Sequence, residues 1–254
     1  MAQYGLQLYS VRDITKNDLR AALKAVAEMG YSHVEFAGFF GNSAEDVKAW
    51  LDEYGLAVSG THTGIDLIAP DKLEETIAYH KAIGCRRLIV PSANWSTEEN
   101  MEKNIATFAS VSKRLSEEGI AFGYHNHSSE FYTAPYGKIV EDELYNRTDA
   151  DLEIDVFWLF NACIDPIPYL EAHKDRISVI HLKDGNVKCE PGSFADAHSG
   201  AVGKSLGLGD APIAAVRDWA IKNGVDMVVE SEGLDPTGCE EVKRCIDYLR
   251  TLEK

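Results

Sequence analysis

The stretch YHNHSSEF, Tyr124 to Phe131, sets two imidazoles, an amide and a carboxylate close behind an apolar run. Three further short segments carry similar groups: EIDVFW (153–158), VIHLKD (179–184) and VVESEG (228–233). Carboxylates and imidazoles hold divalent cations and move protons near neutral pH. The chemistry therefore depends on which of them meet.

Alternation along a strand supplies a test, because successive side chains point to opposite faces. In DLEIDVFW, Leu152, Ile154 and Val156 take one parity, which leaves Asp151, Glu153 and Asp155 on the other. Val179, His181 and Lys183 share a face if Ile180 and Leu182 take the opposite one, and Glu230 and Glu232 do so opposite Met227 and Val229. The same rule groups His125 with His127, Gln7 with Tyr9 and His33 with Glu35, and a further strand ends at His62.

Two carboxylates facing one interior repel each other and resist ionisation unless a cation or base neutralises them. Asp155, His181 and Glu230 are accordingly read as ligands of a divalent metal, with a fourth from His125, His127 or Glu130. A set rich in carboxylate oxygen with one imidazole suits Mn²⁺, Mg²⁺ or Co²⁺, and Zn²⁺ also fits. Taken alone, Glu35 or Gln7 is equally well explained as a buried polar group bonded to the next strand. His33 reads as structural. His80 and His173 fall on helical stretches and read as surface residues, while His198 has no assignment.

The elements that must position these groups follow from one recurring pattern: a helix-like stretch, a glycine, a few residues, then an apolar run. It recurs as VAEMGYSHVEF, LDEYGLAVSGTH, HKAIGCRRLIV, LSEEGIAFGYH and AIKNGVDMVVE. Glycine ends a helix in the left-handed conformation at least steric cost, so each instance is an αβ unit. Strands are expected near 4–9, 33–37, 57–62, 87–91, 120–126, 151–156, 178–183 and 226–231. Helices are expected near 17–29, 43–54, 71–83, 97–118, 137–146, 166–174, 211–223 and 239–252, with Ser43, Thr97 and Asp210 as N-caps.

Eight such units in 254 residues predict one (β/α)8 TIM barrel over residues 1–254, with catalytic groups at the C-terminal ends of the strands. A doubly wound open sheet is the alternative, but no strand is followed by GxGxxG. Asp184 to Asp210 is a long glycine-rich segment of the kind that is more often functional than filler. Its GAVGKS resembles a phosphate loop, yet position 198 is histidine where the first glycine belongs.

Forty-one acidic against twenty-five basic residues, a net charge of −16, argue against nucleic acid or an anionic membrane as partner. The five cysteines, Cys85, Cys163, Cys189, Cys239 and Cys245, contain no CxxC and read as reduced thiols. With no leader-like start and no apolar run long enough to span a bilayer, a cytoplasmic location is expected and the sequons at Asn94, Asn126 and Asn146 carry no meaning.

YHNHSSEF, EIDVFW, VIHLKD and VVESEG, in that order on the last four strands, resemble the sugar isomerase and epimerase superfamily of xylose-isomerase-like barrels. The similarity runs from GLQLYSVR to the closing helix. It implies one divalent metal held by Glu130, Asp155, His181 and Glu230, one from each motif, with Glu232 as the substitute for Glu230. It also implies proton transfer next to a metal-bound carbonyl through an enediolate, with Glu130 and Glu230 as acid and base.

His62, His125 and His127 would then bind or protonate hydroxyls, and Lys183 would contact substrate oxygen or balance the carboxylates. Glu35, Trp158 and Tyr9 complete the expected substrate pocket. The activity implied is isomerisation or epimerisation of a small sugar or polyol derivative. The alternatives are a lyase or dehydratase acting on a keto-sugar or inosose and, less favoured, a non-catalytic sugar-binding barrel. Barrels of this type often form dimers or tetramers, and an extended fourth helix offers a surface for a homo-oligomer.

Overall fold

A computed structural model describes residues 2–187 and 192–253. Eight parallel strands close into a barrel: β1 (Gly5–Gln7), β2 (His33–Phe36), β3 (Ala57–His62), β4 (Arg87–Val90), β5 (Ala121–His125), β6 (Asp151–Asp155), β7 (Ile177–Leu182) and β10 (Asp226–Val229). Each pairs with the next, and β10 pairs with both β7 and β1, so no edge is left open. Between β7 and β10 lies a two-stranded antiparallel hairpin, β8 (Asp184–Asn186) and β9 (Val202–Lys204).

Around the barrel run α1 (Arg12–Thr15), α2 (Leu19–Glu28), α3 (Ala44–Tyr54), α4 (Leu73–Ile83) and α5 (Glu98–Ser116). They are followed by α6 (Val140–Arg147), α7 (Val156–Asn161), α8 (Pro166–His173), α9 (Ile213–Asn223) and α10 (Gly238–Thr251). Ser43 and Thr97 cap α3 and α5 as expected, each accepting from a backbone amide three residues on. Gly55 and Gly84 end α3 and α4 with φ of 68° and 76°, a conformation that side chains resist.

The outward residues of the strands build the core against the helices. Leu6, Val34, Phe36, Ile154, Leu182 and Val229 belong to one apolar cluster, and Leu88, Val90, Phe122 and Tyr124 join Met101 and Phe108 of α5 in a second. The lumen is left to the polar parity: Gln7, Glu35, Glu153, Asp155, His181 and Lys183 are all at most 2% exposed. Burying that many polar groups is tolerable only when they satisfy one another.

Four local expectations are corrected. Strand β6 stops at Asp155, because its carboxylate accepts from the amides of Phe157 and Trp158 and starts α7 there. The residue before α9 is Pro212 and not Asp210, whose carboxylate instead accepts from Asn186 and the amide of Val187. His80 is buried, held between Thr61 of β3 and the carbonyl of Thr76. His173 is half-buried, with its ring stacked on Tyr169.

The four described cysteines are free thiols, and Cys189 lies outside the described residues. Among the described residues no helix is long and apolar enough to cross a membrane.

Candidate active site

The lumen is layered. At the N-terminal end His33 Nε2 lies 3.0 Å from Asp226, whose other carboxylate oxygen accepts from Arg87 and Ser59. This layer is remote from the C-terminal strand ends, so His33 acts structurally there.

Above it Glu35 and Glu153 organise three histidines. Glu35 Oε2 accepts from Gln7 at 2.8 Å and sits 2.7 Å from His181 Nε2. Glu153 Oε1 is the common neighbour of His62 Nε2 at 2.6 Å, His125 Nδ1 at 3.1 Å and His181 Nε2 at 3.2 Å.

These contacts occupy one nitrogen of His125 and one of His181 and leave the other pointing upward. His181 Nδ1 lies 2.9 Å from Glu230, and His125 Nε2 lies 3.9 Å from Asp155 Oδ2. His125, Asp155, His181 and Glu230 each offer one donor atom within 4.8 Å of the others, and all four are buried. Ligating histidines usually give their second nitrogen to a carboxylate, which fixes the tautomer. Glu153 and Glu35 stand in that relation to His125 and His181.

Asp155 supplies the test of fit. Its Oδ1 caps α7, whereas its Oδ2 is buried with no hydrogen-bond partner in the protein. Burial pushes Asp155 up to about 7, with Lys183 opposing and Glu230 adding to the rise. A buried acceptor left without a donor is costly, and a divalent ion held by these four residues would remove that cost. The residues present therefore fit a divalent ion.

The layer below splits its two carboxylates in opposite directions. Burial alone would raise Glu35, but His62 and His181 outweigh it and hold the carboxyl down to about 2. Burial and the neighbouring Glu35 push Glu153 up to about 7, opposed by His181 and His62. Burial and the charges on His181 and His62 keep His125 well below the usual imidazole range, which suits a neutral ligand nitrogen.

This cluster forms the floor of a cavity of about 450 Å³ at the C-terminal end of the barrel, within the range of small-molecule sites. Tyr9, His62, His125, His127, Glu230 and Glu232 line it. Lys183 sits beside it, 3.7 Å from Asp155, 3.8 Å from Glu230 and bonded to Glu232, with its ammonium 4.9 Å from the centre of the Trp158 ring. Trp158 rises from the first turn of α7, with its ring centre 5.6 Å from that of His127.

Two expected site residues are placed elsewhere. Among the described residues Glu130 joins neither the group His125, Asp155, His181 and Glu230 nor the overlapping group His62, His125, Glu153 and His181 beneath it. After His125 the chain enters a 3₁₀ turn, Ser128–Phe131, and Glu130 accepts from the Tyr124 hydroxyl, the amide of His127 and the hydroxyl of Ser129. Tyr124 has outward parity, so Glu130 stands on the helix side of β5 and steadies the turn that carries His127. Glu35 is fully buried and does not line the cavity; it holds His181 from below.

Three residues in this arrangement had no assigned role. Glu153 had the right parity. Asn126 ties two strand ends together, its side-chain oxygen accepting from the amide of Asp155 at 3.0 Å. Asp184 accepts from the amides of Gly185, Gly207, Gly209 and Ala211, which gathers the loop beyond β9 around one buried carboxylate. Nothing local in the sequence announces the last two.

Comparison with known proteins agrees with this architecture. Among solved structures, a sugar phosphate isomerase/epimerase from Parabacteroides distasonis ATCC 8503 superposes with a TM-score of 0.79 at 27% identity, covering 98% of each chain. A second from the same organism, at 23% identity and TM-score 0.77, covers 98% of this chain and 94% of its own.

Among curated proteins, the inosose dehydratase of Geobacillus kaustophilus (strain HTA426) is 25% identical over 194 residues, 64% of this chain. The match spans 60% of that protein's length. The model describing xylose isomerase-like TIM barrels matches residues 23–252, and the chain belongs to that family.

Proposed function

We propose that the chain is a divalent-metal-dependent isomerase or epimerase that moves a proton at a carbon next to a carbonyl of a small sugar or polyol derivative. The observation that carries this reading is the buried Asp155 Oδ2, which no hydrogen-bond donor reaches, among His125, His181 and Glu230 at the floor of an open cavity. Support comes also from the Parabacteroides isomerase/epimerase, which is similar over the whole chain.

His125, Asp155, His181 and Glu230 would hold the ion. With two imidazoles and two carboxylates in place of three carboxylates and one imidazole, the set favours Mn²⁺, Co²⁺ or Zn²⁺ over Mg²⁺. When bound, the ion supplies a Lewis acid against which negative charge on substrate oxygen is stabilised.

The chain's own groups do the rest. Glu230 stands in the cavity wall with its carboxyl held well below the usual range; burial opposes this, and Lys183 and His181 outweigh it. It takes the proton from the substrate carbon and returns it to the same or the neighbouring carbon. Lys183 balances the charge of Asp155 and Glu230, and His62 and His127 bind the hydroxyls beside the reacting carbon. Tyr9 and Trp158 give the pocket its apolar walls.

The likeness to an inosose dehydratase favours a second reading on the same site, in which the carbanion formed by proton loss expels a β-hydroxyl as water, its oxygen protonated by an imidazole. Solvent-deuterium exchange followed by NMR across keto-sugars, ketoses and inososes separates the two. Exchange with the skeleton intact supports isomerisation or epimerisation, loss of a hydroxyl selects the dehydratase, and no exchange in the Mn²⁺-loaded protein refutes both.

A further inference from the structure

His198, which the sequence left without a role, packs against His127 of the cavity wall and against Trp158. Its ring centre lies 4.8 Å from that of Trp158 and 5.5 Å from that of His127. Each of the three rings touches the other two.

The segment is fastened on both sides of His198, and neither fastening uses the His198 ring. Upstream, Ala197 is buried and its carbonyl accepts from Asn161 of α7 at 2.8 Å. Asn161 also donates to Ser128, whose hydroxyl donates to the carbonyl of Trp158. One buried network thus joins the turn carrying His127, the helix carrying Trp158 and the residue preceding His198.

Downstream, β9 pairs with β8, which lies on α7 because Gly185 has no side chain: a Cβ there would meet the Phe157 ring at 2.5 Å. The Asp184 carboxylate then collects the amides beyond β9. The His198 ring is exposed, and among the described residues it has no hydrogen-bond partner. A ring that takes no part in either fastening, packed against His127 of the cavity wall, is placed for a ligand.

We propose that His198 is a specificity-determining residue. With Trp158 and His127 it forms an aromatic wall that packs on the C–H face of a ring-form substrate, so that the site prefers a cyclic keto-polyol to an open-chain ketose. The inference rests on the reading of the cavity as a sugar or polyol site, and adds the shape of the substrate to it. Aromatic faces gain from apolar contact beyond simple area burial, whereas an open chain presents no continuous apolar face.

The test measures binding by calorimetry on the Mn²⁺-loaded protein, with scyllo-inosose as the cyclic probe and erythrulose as the open-chain probe. His198→Ala is expected to weaken inosose binding about fivefold and to leave erythrulose within twofold. His198→Phe, which keeps a ring without nitrogens, is expected to restore inosose affinity. Equal losses for both probes, no loss for either, failure of His198→Phe to restore binding, or no inosose binding by the wild type would each overturn the proposal. Inosose that binds with this ring dependence while no compound of the exchange panel reacts leaves the wall standing and removes the enzymatic reading, so the two failures are distinguishable.

Discussion

The Tyr124 hydroxyl donates to Glu130 Oε1 at 2.8 Å on the outer side of β5, and this contact separates Glu130 from the lumen that receives His125. His125 and Glu130 are five apart in sequence, yet His125, the last residue of β5, faces the lumen while Glu130 stands on the helix side. Glu130→Ala is therefore expected to leave metal affinity within about threefold and to lower stability by about 2 kcal/mol, since buried donors lose their acceptor. His125→Ala is expected to show the reverse, a loss of metal affinity of tenfold or more with a small stability change. Chelator competition together with thermal unfolding reads both, and loss of metal in the Glu130 variant would restore it as a ligand.

Asp155→Asn keeps an oxygen to cap α7 while removing the charge on the unpartnered side. Metal content after purification should fall sharply. After chelator treatment the variant should unfold at a higher temperature than the wild type, because a buried carboxylate oxygen that no donor satisfies, and that Lys183 offsets only from 3.7 Å, has been removed. A lower temperature would mean that this carboxylate is already satisfied without a cation.

Glu35→Gln tests the support beneath His181. The carboxylate that orients this imidazole becomes a neutral amide, and loss of such a partner commonly costs 10- to 100-fold in metal affinity or activity. Equilibrium dialysis against Mn²⁺ should register the change with the fold intact by circular dichroism. Unchanged affinity would reduce Glu35 to a packing residue.

Glu141 of α6 carries a pH dependence away from the cavity. It accepts from Tyr169, its Oε2 is buried without a partner, and burial pushes its carboxyl from 4.5 up to about 7. Below pH 4.5 both folded and unfolded states are protonated and nothing is lost. Between there and pH 7 the unfolded state ionises first, so stability falls as pH rises, by about 3 kcal/mol in all. Glu141→Gln keeps an acceptor for Tyr169 and removes the titration. Its melting temperature should exceed that of the wild type by an amount that grows from pH 5 to pH 7.5 and then levels off; a constant difference would refute the assignment.

Much of the molecule was legible because its signals are local. Alternation has period two, so Leu152 and Ile154 against Glu153 and Asp155 already separates core from lumen, and in five of the units a glycine after the helix marks where the next strand begins. Parity likewise brought Asp155, His181 and Glu230 to one interior. Glu130 is implied by the resemblance and not by parity, and alternation cannot check it, because alternation ends with the strand and the direction of the next turn depends on Tyr124. His80 reads as a surface residue from its helical stretch, yet it is buried, and its burial follows from a hydroxyl on β3, a neighbour that no helical pattern reveals.

By itself the sequence determined the closed ring of βα units, the acidic and imidazole character of the lumen and the strand end where these groups gather. Each follows from chain-local periodicity and from the cost of leaving apolar faces in water. Only the tertiary structure decided that His125 and not Glu130 completes the cluster, that Glu35 and Glu153 hold the histidines from beneath, and that His198 reaches Trp158. Those relationships join residues from different strands and loops, and their distances depend on how the barrel closes and how Asn161 and Asp184 fasten the long segment across it.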